Sequence, residues 1–256
     1  MAPGASDTDA YGRSYFDSPH LTDRDSRFQR YRVRKVFGLH APGPEDRVVD
    51  LGCGWGTVSL EAAKRAREVV GVDFAPEAVS FCTDAAKRCG AGNVSFRLAN
   101  VCNTGLSAGH FDAAYAADLF EHLYPTESRA ACEEAHRLLK PGGIFVVWMP
   151  CRSHFFEALK NRNIVLKADP THVDYKSRGR MVRMLMNAGF RVPLAVYAES
   201  HWPVVSRAER LMMRRLPLFR RRIGIVAVKP DDDHGGFPVP AGLSRSIDNR
   251  TGGAAE

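Results

Sequence analysis

The chain has 256 residues, a formal net charge of +7, and six cysteines scattered without a CxxC pair or a histidine-spaced cluster. A chain of this length can bury one sizeable core. The cysteine pattern excludes a disulfide framework or zinc finger as the basis of the fold, and no apolar run approaches the roughly 18 to 20 residues that cross a bilayer.

The first residues, MAPGASDTDAYGRS, have neither the basic nor the apolar stretch of a signal peptide, so a cytoplasmic location with no membrane association is expected. Residues 1–22 are polar and turn-rich and read as a mobile segment. Thr22 or Asp23 is placed to cap a helix through RFQRYRVRKVFGL, whose Phe28, Tyr31, Val33 and Phe37 give an apolar face. RVVDL reads as a buried strand, TVSLEAAKRAR as a helix and EVVGVD as a second strand. PEAVSFCTDAAKRC is a helix opened by Pro76, and NVSFRLA and FDAAYAA are the third and fourth strands. ESRAACEEAHRLLK is a helix stopped by Pro141-Gly142-Gly143, and IFVVWMP is the fifth strand. Such alternation predicts a parallel sheet covered by helices on both faces.

Residues 151–176 lack clean periodicity and read as a lid inserted after the fifth strand. SRGRMVRMLMNAGF is a helix whose Met181, Met184, Leu185 and Met186 read as core. RVPLAVYA and RRIGIVAVK are two late strands, expected as an antiparallel hairpin at the sheet edge. From Pro230 the chain is rich in Gly, Pro and Asp and is expected to be disordered. The predicted architecture is α/β: a Rossmann-like doubly wound sheet, mostly parallel with an antiparallel edge strand. One domain spans residues 23–229.

The loop after the first strand, VVDLGCGWGT, carries Gly52, Gly54 and Gly56 as G-x-G-x-G, with Thr57 where a dinucleotide fingerprint has its third glycine. Asp50 stands two residues before the first glycine. A pyrophosphate wants amide donors and a positive helix end, and a carboxylate beside it repels it. A cofactor that carries positive charge and no phosphate reverses that sign. S-adenosylmethionine, with an ammonium and a sulfonium, is such a cofactor. Asp73, which ends the second strand 21 residues after Gly52, is placed to accept from both ribose hydroxyls.

These motifs carry a resemblance. VVDLGCGWG, VVGVDFA, FDAAYAADLFEHL, EAHRLLKPGGIFVVWMP and DPTHVDYKS…LMNAGFRV occur in the order of a class I S-adenosylmethionine-dependent methyltransferase of the small-molecule branch. The resemblance runs from about Arg47 to Val228 and implies a methyltransferase with S-adenosylmethionine as cofactor. It places Asp50, Gly52, Cys53, Gly54, Gly56, Asp73 and Phe74 in the cofactor site. Asn100 and Val101 are expected against the adenine, although the family often has an acidic residue at position 100. Ala117 and Asp118 are expected to line the cofactor from the sulfur side. Tyr11, Tyr15 and Phe16 correspond to an N-terminal segment that relatives fold over the cofactor, and Arg27 or Arg32 could meet its carboxylate.

A hydroxyl or ammonium acceptor must lose a proton, and His122 and His172 are the candidate bases. Asp118, Glu121 and His122 are expected to share one side of a helix that starts near Leu119. Glu121-His122 equally suits a structural tie, and His172 a loop histidine bonded to backbone. Tyr197 and Trp202 either line the acceptor pocket or pack. The expected acceptor is a small molecule, a natural product or sugar among the candidates, with no metal required. The alternative is an RNA 2′-O-methyltransferase, which Asp118, Glu121, His122 and His172 resemble as a metal cluster. Nucleic acid is the less favoured partner, because the basic balance reads first as solubility.

Overall fold

The computed structural model describes residues 26–151, 153–154, 171–213 and 215–231. The expectations for the N-terminal segment, for a cap at Thr22 or Asp23, for residues 155–170 of the lid and for the tail beyond Asp231 lie outside the described residues.

Helix α1 (Arg27–Leu39) is capped by Ser26, whose hydroxyl accepts from the amide of Gln29 at 3.2 Å. Strand β1 (Arg47–Leu51) leads through the glycine loop into the short helix α2 (Thr57–Ala63), then β2 (Glu68–Asp73). Helix α3 (Pro76–Cys89) has Pro76 in its first turn and closes at Gly90 in the left-handed conformation, the residue type that adopts it without strain. Strands β3 (Val94–Leu98) and β4 (Phe111–Ala117) follow. Helix α4 spans Pro125–Leu138, and β5 spans Leu139–Pro150. Helix α5 (Arg178–Asn187), β6 (Arg191–Ala198), α6 (Pro203–Met212) and β7 (Arg222–Val228) complete the order.

The seven strands lie in the order β3-β2-β1-β4-β5-β7-β6. All neighbours from β3 to β5 are parallel, and β7 is antiparallel to both β5 and β6. The doubly wound sheet is thus as expected, with one correction. The antiparallel strand is β7, one place in from the edge, and β6 is the edge. No hairpin joins them, because α6 and a 3₁₀ turn at Pro217–Phe219 carry the chain back so that β7 enters between β5 and β6.

Alternation along the strands sends successive side chains to opposite faces. Val49, Ala114, Ala116, Phe145 and Val147 pack with α4 and α5, where Met181 and Leu185 are fully buried as core. Met186 of the same stripe is exposed. Val48, Ala113, Tyr115, Val146 and Trp148 pack with Tyr31, Val36 and Phe37 of α1 and Val58 and Ala62 of α2. Burying aromatics such as Tyr115 and Trp148 contributes roughly 1.5 to 3 kcal/mol each. The Tyr115 hydroxyl keeps a partner by donating to the carbonyl of His40 at 3.0 Å.

Three boundaries differ from the sequence reading. Pro141-Gly142-Gly143 does not separate helix from strand: β5 already starts at Leu139, and the surplus residues form a bulge opposite Phe111–Ala113. Helix α2 ends at Ala63 instead of running on to Arg67. Residues Phe120–His122 form a single 3₁₀ turn, not a helix start; the helix waits for Pro125 at its first position. No helix among the described residues is long and apolar enough to cross a membrane.

Candidate active site

The parallel strands deliver their C-terminal ends to one edge of the sheet, where open α/β sheets hold ligands. The glycine loop after β1 is built from backbone. The amides of Gly52 and Cys53 both donate to the carbonyl of Val72, at 2.8 and 3.0 Å, which ties the loop to β2. Gly52, Gly54 and Gly56 all have positive φ, +69°, +51° and +70°. A Cβ on Gly52 would meet Leu119 at 2.7 Å, and one on Gly56 would meet the sulfur of Cys82 at 2.9 Å. A Cβ on Gly54 meets nothing within 4 Å, so a side chain there would stand in open space over the loop.

Two carboxylates frame this loop. Asp73 accepts from the amide of Gly54 at 2.8 Å and from that of Ala75 at 3.0 Å. Burial raises its pKa against those amides, which pull it down. Asp50 is 2% exposed and accepts from the Ser59 hydroxyl at 2.6 Å. Burial pushes its pKa up to about 6, with Ser59 and then Arg32 opposing. Asp50 is therefore buried beneath the loop.

After β4 the chain turns sharply. Asp118, with φ of +58°, is the one non-glycine residue with positive φ among the described residues. It is held between Arg32, at 3.3 Å, and Arg222. Burial raises the Asp118 pKa, but Arg222 and Arg32 outweigh that and hold it below the usual carboxylate range. Asp118 is thus a partner of arginines and not the helical neighbour of His122, since no helix starts at Leu119.

The 3₁₀ turn places Glu121, His122 and His172 together, with one ligand-type atom of each within 4.8 Å of the others. The rings of His122 and His172 are 4.8 Å apart at 72°. Their segments are joined backbone to backbone, the amides of Val173 and Asp174 donating to the carbonyl of Glu121 at 3.0 and 3.2 Å. Lys176 buries its ammonium against the carbonyls of Phe120 and Leu123. His122 Nδ1 donates to the Thr171 carbonyl at 3.1 Å, because a carbonyl can only accept; the lone pair therefore lies on Nε2. His172 Nδ1 meets the Tyr175 hydroxyl at 2.6 Å. Glu121 is 3% exposed, and burial, followed by the charge of Asp118, pushes its pKa up to about 8.

Residues 48–143, from β1 into β5, match the family model described as a methyltransferase domain. This stretch, less than half of the chain, is similar to a methyltransferase domain, and the match supports S-adenosylmethionine as the cofactor. Nocamycin O-methyltransferase of Saccharothrix syringae is 37% identical over 123 residues, 45% of this chain and 42% of that protein. A probable S-adenosylmethionine-dependent methyltransferase of Mycolicibacterium smegmatis is 28% identical over 174 residues, 68% of this chain and 63% of the relative. The chain spans less than two thirds of the length of each of these relatives. The crystal structure of geranyl diphosphate C-methyltransferase from Streptomyces coelicolor A3(2), a complex with Mg2+, geranyl diphosphate and S-adenosyl-L-homocysteine, shares the fold. Its TM-score is 0.67 at 18% identity, covering 89% of this chain and all of that one.

The loop of this methyltransferase domain fits a cation-bearing, phosphate-free cofactor. Two buried carboxylates face it, and open space lies over Gly54 where an extended group can press on backbone. Of the remaining expected contacts, Phe74 is 40% exposed at the end of β2, and Val101 is buried. Cys53 is buried beside Cys82 under the loop. Asn100 is half-buried, but its side-chain carbonyl already accepts from the amide of Cys102 at 2.8 Å. One lone pair is thereby committed to a local turn, which weakens Asn100 as an adenine acceptor. Ala117 is buried at the end of β4, next to the turn at Asp118.

Arg32 meets Asp118, and Arg27 is exposed. Tyr197 is held between the guanidinium groups of Arg178 and Arg220, 4.6 and 4.5 Å from its ring centre, so it packs against charge at the edge strand. Trp202 is 44% exposed beside His201. Tyr175 and Arg222 were not singled out in the sequence. Tyr175 sits inside the quoted DPTHVDYKS and had a local signal; Arg222 had none, since its partner is 104 residues away.

Proposed function

We propose that the chain transfers the methyl group of S-adenosylmethionine to an oxygen or nitrogen nucleophile of a small molecule, with a natural product or sugar as the favoured class. The observation that carries this reading is the junction of the two halves. Leu119 packs on Gly52 of the cofactor loop, and the His122–His172 pair begins three residues further on. A nucleophile at that pair lies beside the loop that holds the donor.

Bound there, the cofactor supplies an electrophilic methyl: the acceptor lone pair forms the new bond as the S–CH3 bond breaks, and its electrons stay on sulfur. Positioning then does much of the work. Asp73, presented by the Gly54 and Ala75 amides, takes the ribose hydroxyls. Asp50 contributes negative charge beneath the methionine portion. The backbone at Val101, with Asn100 in a lesser part, meets the adenine, and Ala117 and the Asp118 turn flank the sulfur. His122 Nε2, its tautomer fixed by the Thr171 carbonyl, is the base for the acceptor proton, with His172 beside it.

The test is a screen with labelled methyl groups against small-molecule nucleophiles and RNA in parallel. Label in a small molecule is expected. Label confined to RNA, or none in either pool with cofactor bound, contradicts the reading.

A further inference from the structure

Between β6 and β7 the chain makes an excursion that the methyl-transfer site does not use. It leaves the sheet at Ala198 and returns at Arg222, two residues paired in register, and Arg222 holds Asp118. This arm therefore stands at the same edge of the sheet as the glycine loop. Its residues 202–222, WPVVSRAERLMMRRLPLFRRR, contain seven arginines and one acidic residue, Glu209. Glu209 is turned inward: it is fully buried, on His154 at 2.9 Å and on the amide of Ser200. The outer face is left with cations and apolar groups. In α6 the i, i+3, i+4 spacing puts Arg207, Arg210 and Leu211 on one side. All three are exposed, Leu211 to 81%. The amides of Arg215 and Leu216 then donate to the carbonyl of Met212, at 3.0 and 2.8 Å, and the chain turns off the end of the helix. That turn presents Leu216 and Leu218, both exposed, beside exposed Arg215. Trp202, also exposed, caps the start of α6. Arg207 and Arg215 form no salt bridge among the described residues.

We propose that this face docks the protein on the surface of an anionic lipid bilayer, with the leucines and Trp202 entering the headgroup boundary and the arginines meeting its phosphates. An exposed leucine gains nothing from water, whereas at a bilayer it exchanges water for hydrocarbon. Arginines beside such leucines are drawn to the negative leaflet, and tryptophan, with an apolar body and a polar N–H, suits the boundary between the two. Charge decides between a bilayer and a second copy of this chain. Two copies of a segment whose arginines face outward and whose single carboxylate faces inward repel each other. The leucines decide between a bilayer and RNA, since RNA rewards cations and stacked rings, not aliphatic side chains. Such a face lies on a membrane without crossing it, in accord with the described residues holding no spanning helix. It departs from the expectation of no membrane association, which rested on the lack of a signal peptide and a span. The docking surface stands on these residues alone. Its use rests on the methyl-transfer reading above: a bilayer beside the mouth concentrates acceptors that carry an apolar tail.

The experiment floats the full chain with vesicles of phosphatidylcholine alone, or of phosphatidylcholine and phosphatidylglycerol in equal parts. The wild type is expected to bind the mixed vesicles about tenfold or more tighter than the neutral ones, and to be released by raised salt. Arg207→Glu with Arg215→Glu is expected to weaken binding roughly 100-fold, and Leu211→Ser with Leu218→Ser about tenfold. The substituted side chains are exposed, so both variants should keep the far-ultraviolet dichroism and S-adenosylmethionine affinity of the wild type. No binding to either vesicle, equal binding to both, or full binding by the leucine variant overturns the surface. Self-association without lipid that the leucine variant abolishes overturns the bilayer in favour of a second copy. Binding to RNA but not to vesicles, lost in the arginine variant and kept in the leucine variant, overturns it in favour of nucleic acid. Vesicle binding without methyl transfer to any acceptor supports the surface and overturns the functional reading, so the two fail separately.

Discussion

The two halves of the mouth are made from different material. The cofactor half is backbone: loop amides on the Val72 carbonyl, glycines at positive φ, and the Gly54 and Ala75 amides on Asp73. Its glycine loop and both acidic anchors lie within one run of the chain, from Asp50 to Ala75. The acceptor half is side chain: Arg32 and Arg222 on Asp118, His122 against His172, and Lys176 against the carbonyls of the 3₁₀ turn. Its parts come from α1, the β4 end and the turn after it, the last residues of the lid and the start of β7. A backbone site tolerates changes in surrounding side chains and keeps one ligand. A side-chain site changes its chemistry with each substitution, which is why the donor is readable here and the acceptor is not.

The contrast can be broken by mutation, beginning in the acceptor half. His122→Ala with His172→Ala should lower kcat by roughly 10²- to 10⁴-fold, the usual worth of a proton-handling group, and leave cofactor affinity within about twofold. A comparable loss of cofactor binding in calorimetry would mean that the halves are not separate. Asp118→Ala leaves two largely buried guanidinium groups facing each other without their carboxylate. Removing one partner of such a set costs about 3 to 5 kcal/mol, readable as a shift in denaturant midpoint; an unchanged midpoint would show that Asp118 is not what holds Arg32 and Arg222.

Within the cofactor half, two glycines should behave oppositely. Gly56→Ala combines left-handed strain of about 1 to 2 kcal/mol with the contact on Cys82, so its melting temperature should drop by several degrees. Gly54→Ala meets open space, so it should lose less stability and more cofactor affinity. If both variants lose only stability, the open space over Gly54 is not the cofactor cradle.

The smallest effect is a pH dependence. Asp50 binds its proton more tightly folded, with a pKa of about 6, than unfolded, at 3.8. Its contribution to stability is therefore complete below pH 3.8 and is lost as pH rises through 6. Asp50→Asn should flatten that part of the stability curve. S-adenosylmethionine should bind the wild type more tightly as pH rises from 5 to 7, when Asp50 ionises, and bind the variant with no such trend. Parallel binding curves for the two proteins would remove Asp50 from the cofactor's electrostatics.

The sequence made the strands, the glycine loop and both acidic anchors legible because each is a local pattern with one physical cause. It did not show that Asp50 is buried on Ser59, since nothing local announces that Ser59 lies beneath the loop to receive it. It gave the region after β4 a helix although Pro125 marks the later start. The insertion of β7 between β5 and β6 was illegible, because two apolar strands separated by a helix are compatible with either order. The pairing of Asp118 with Arg32 and Arg222 spans 86 and 104 residues, a separation that no spacing rule covers.

The central claim is that Asp73, presented by two loop amides, anchors a cationic cofactor in a backbone-built site. Calorimetric titration of the wild type and of Asp73→Ala with S-adenosylmethionine tests it most directly. A single site in the wild type, weakened roughly 100-fold or more in the variant, is predicted from the loss of charged hydrogen bonds worth about 1.5 to 3 kcal/mol each. No binding to the wild type, or equal affinity in the two proteins, would contradict it.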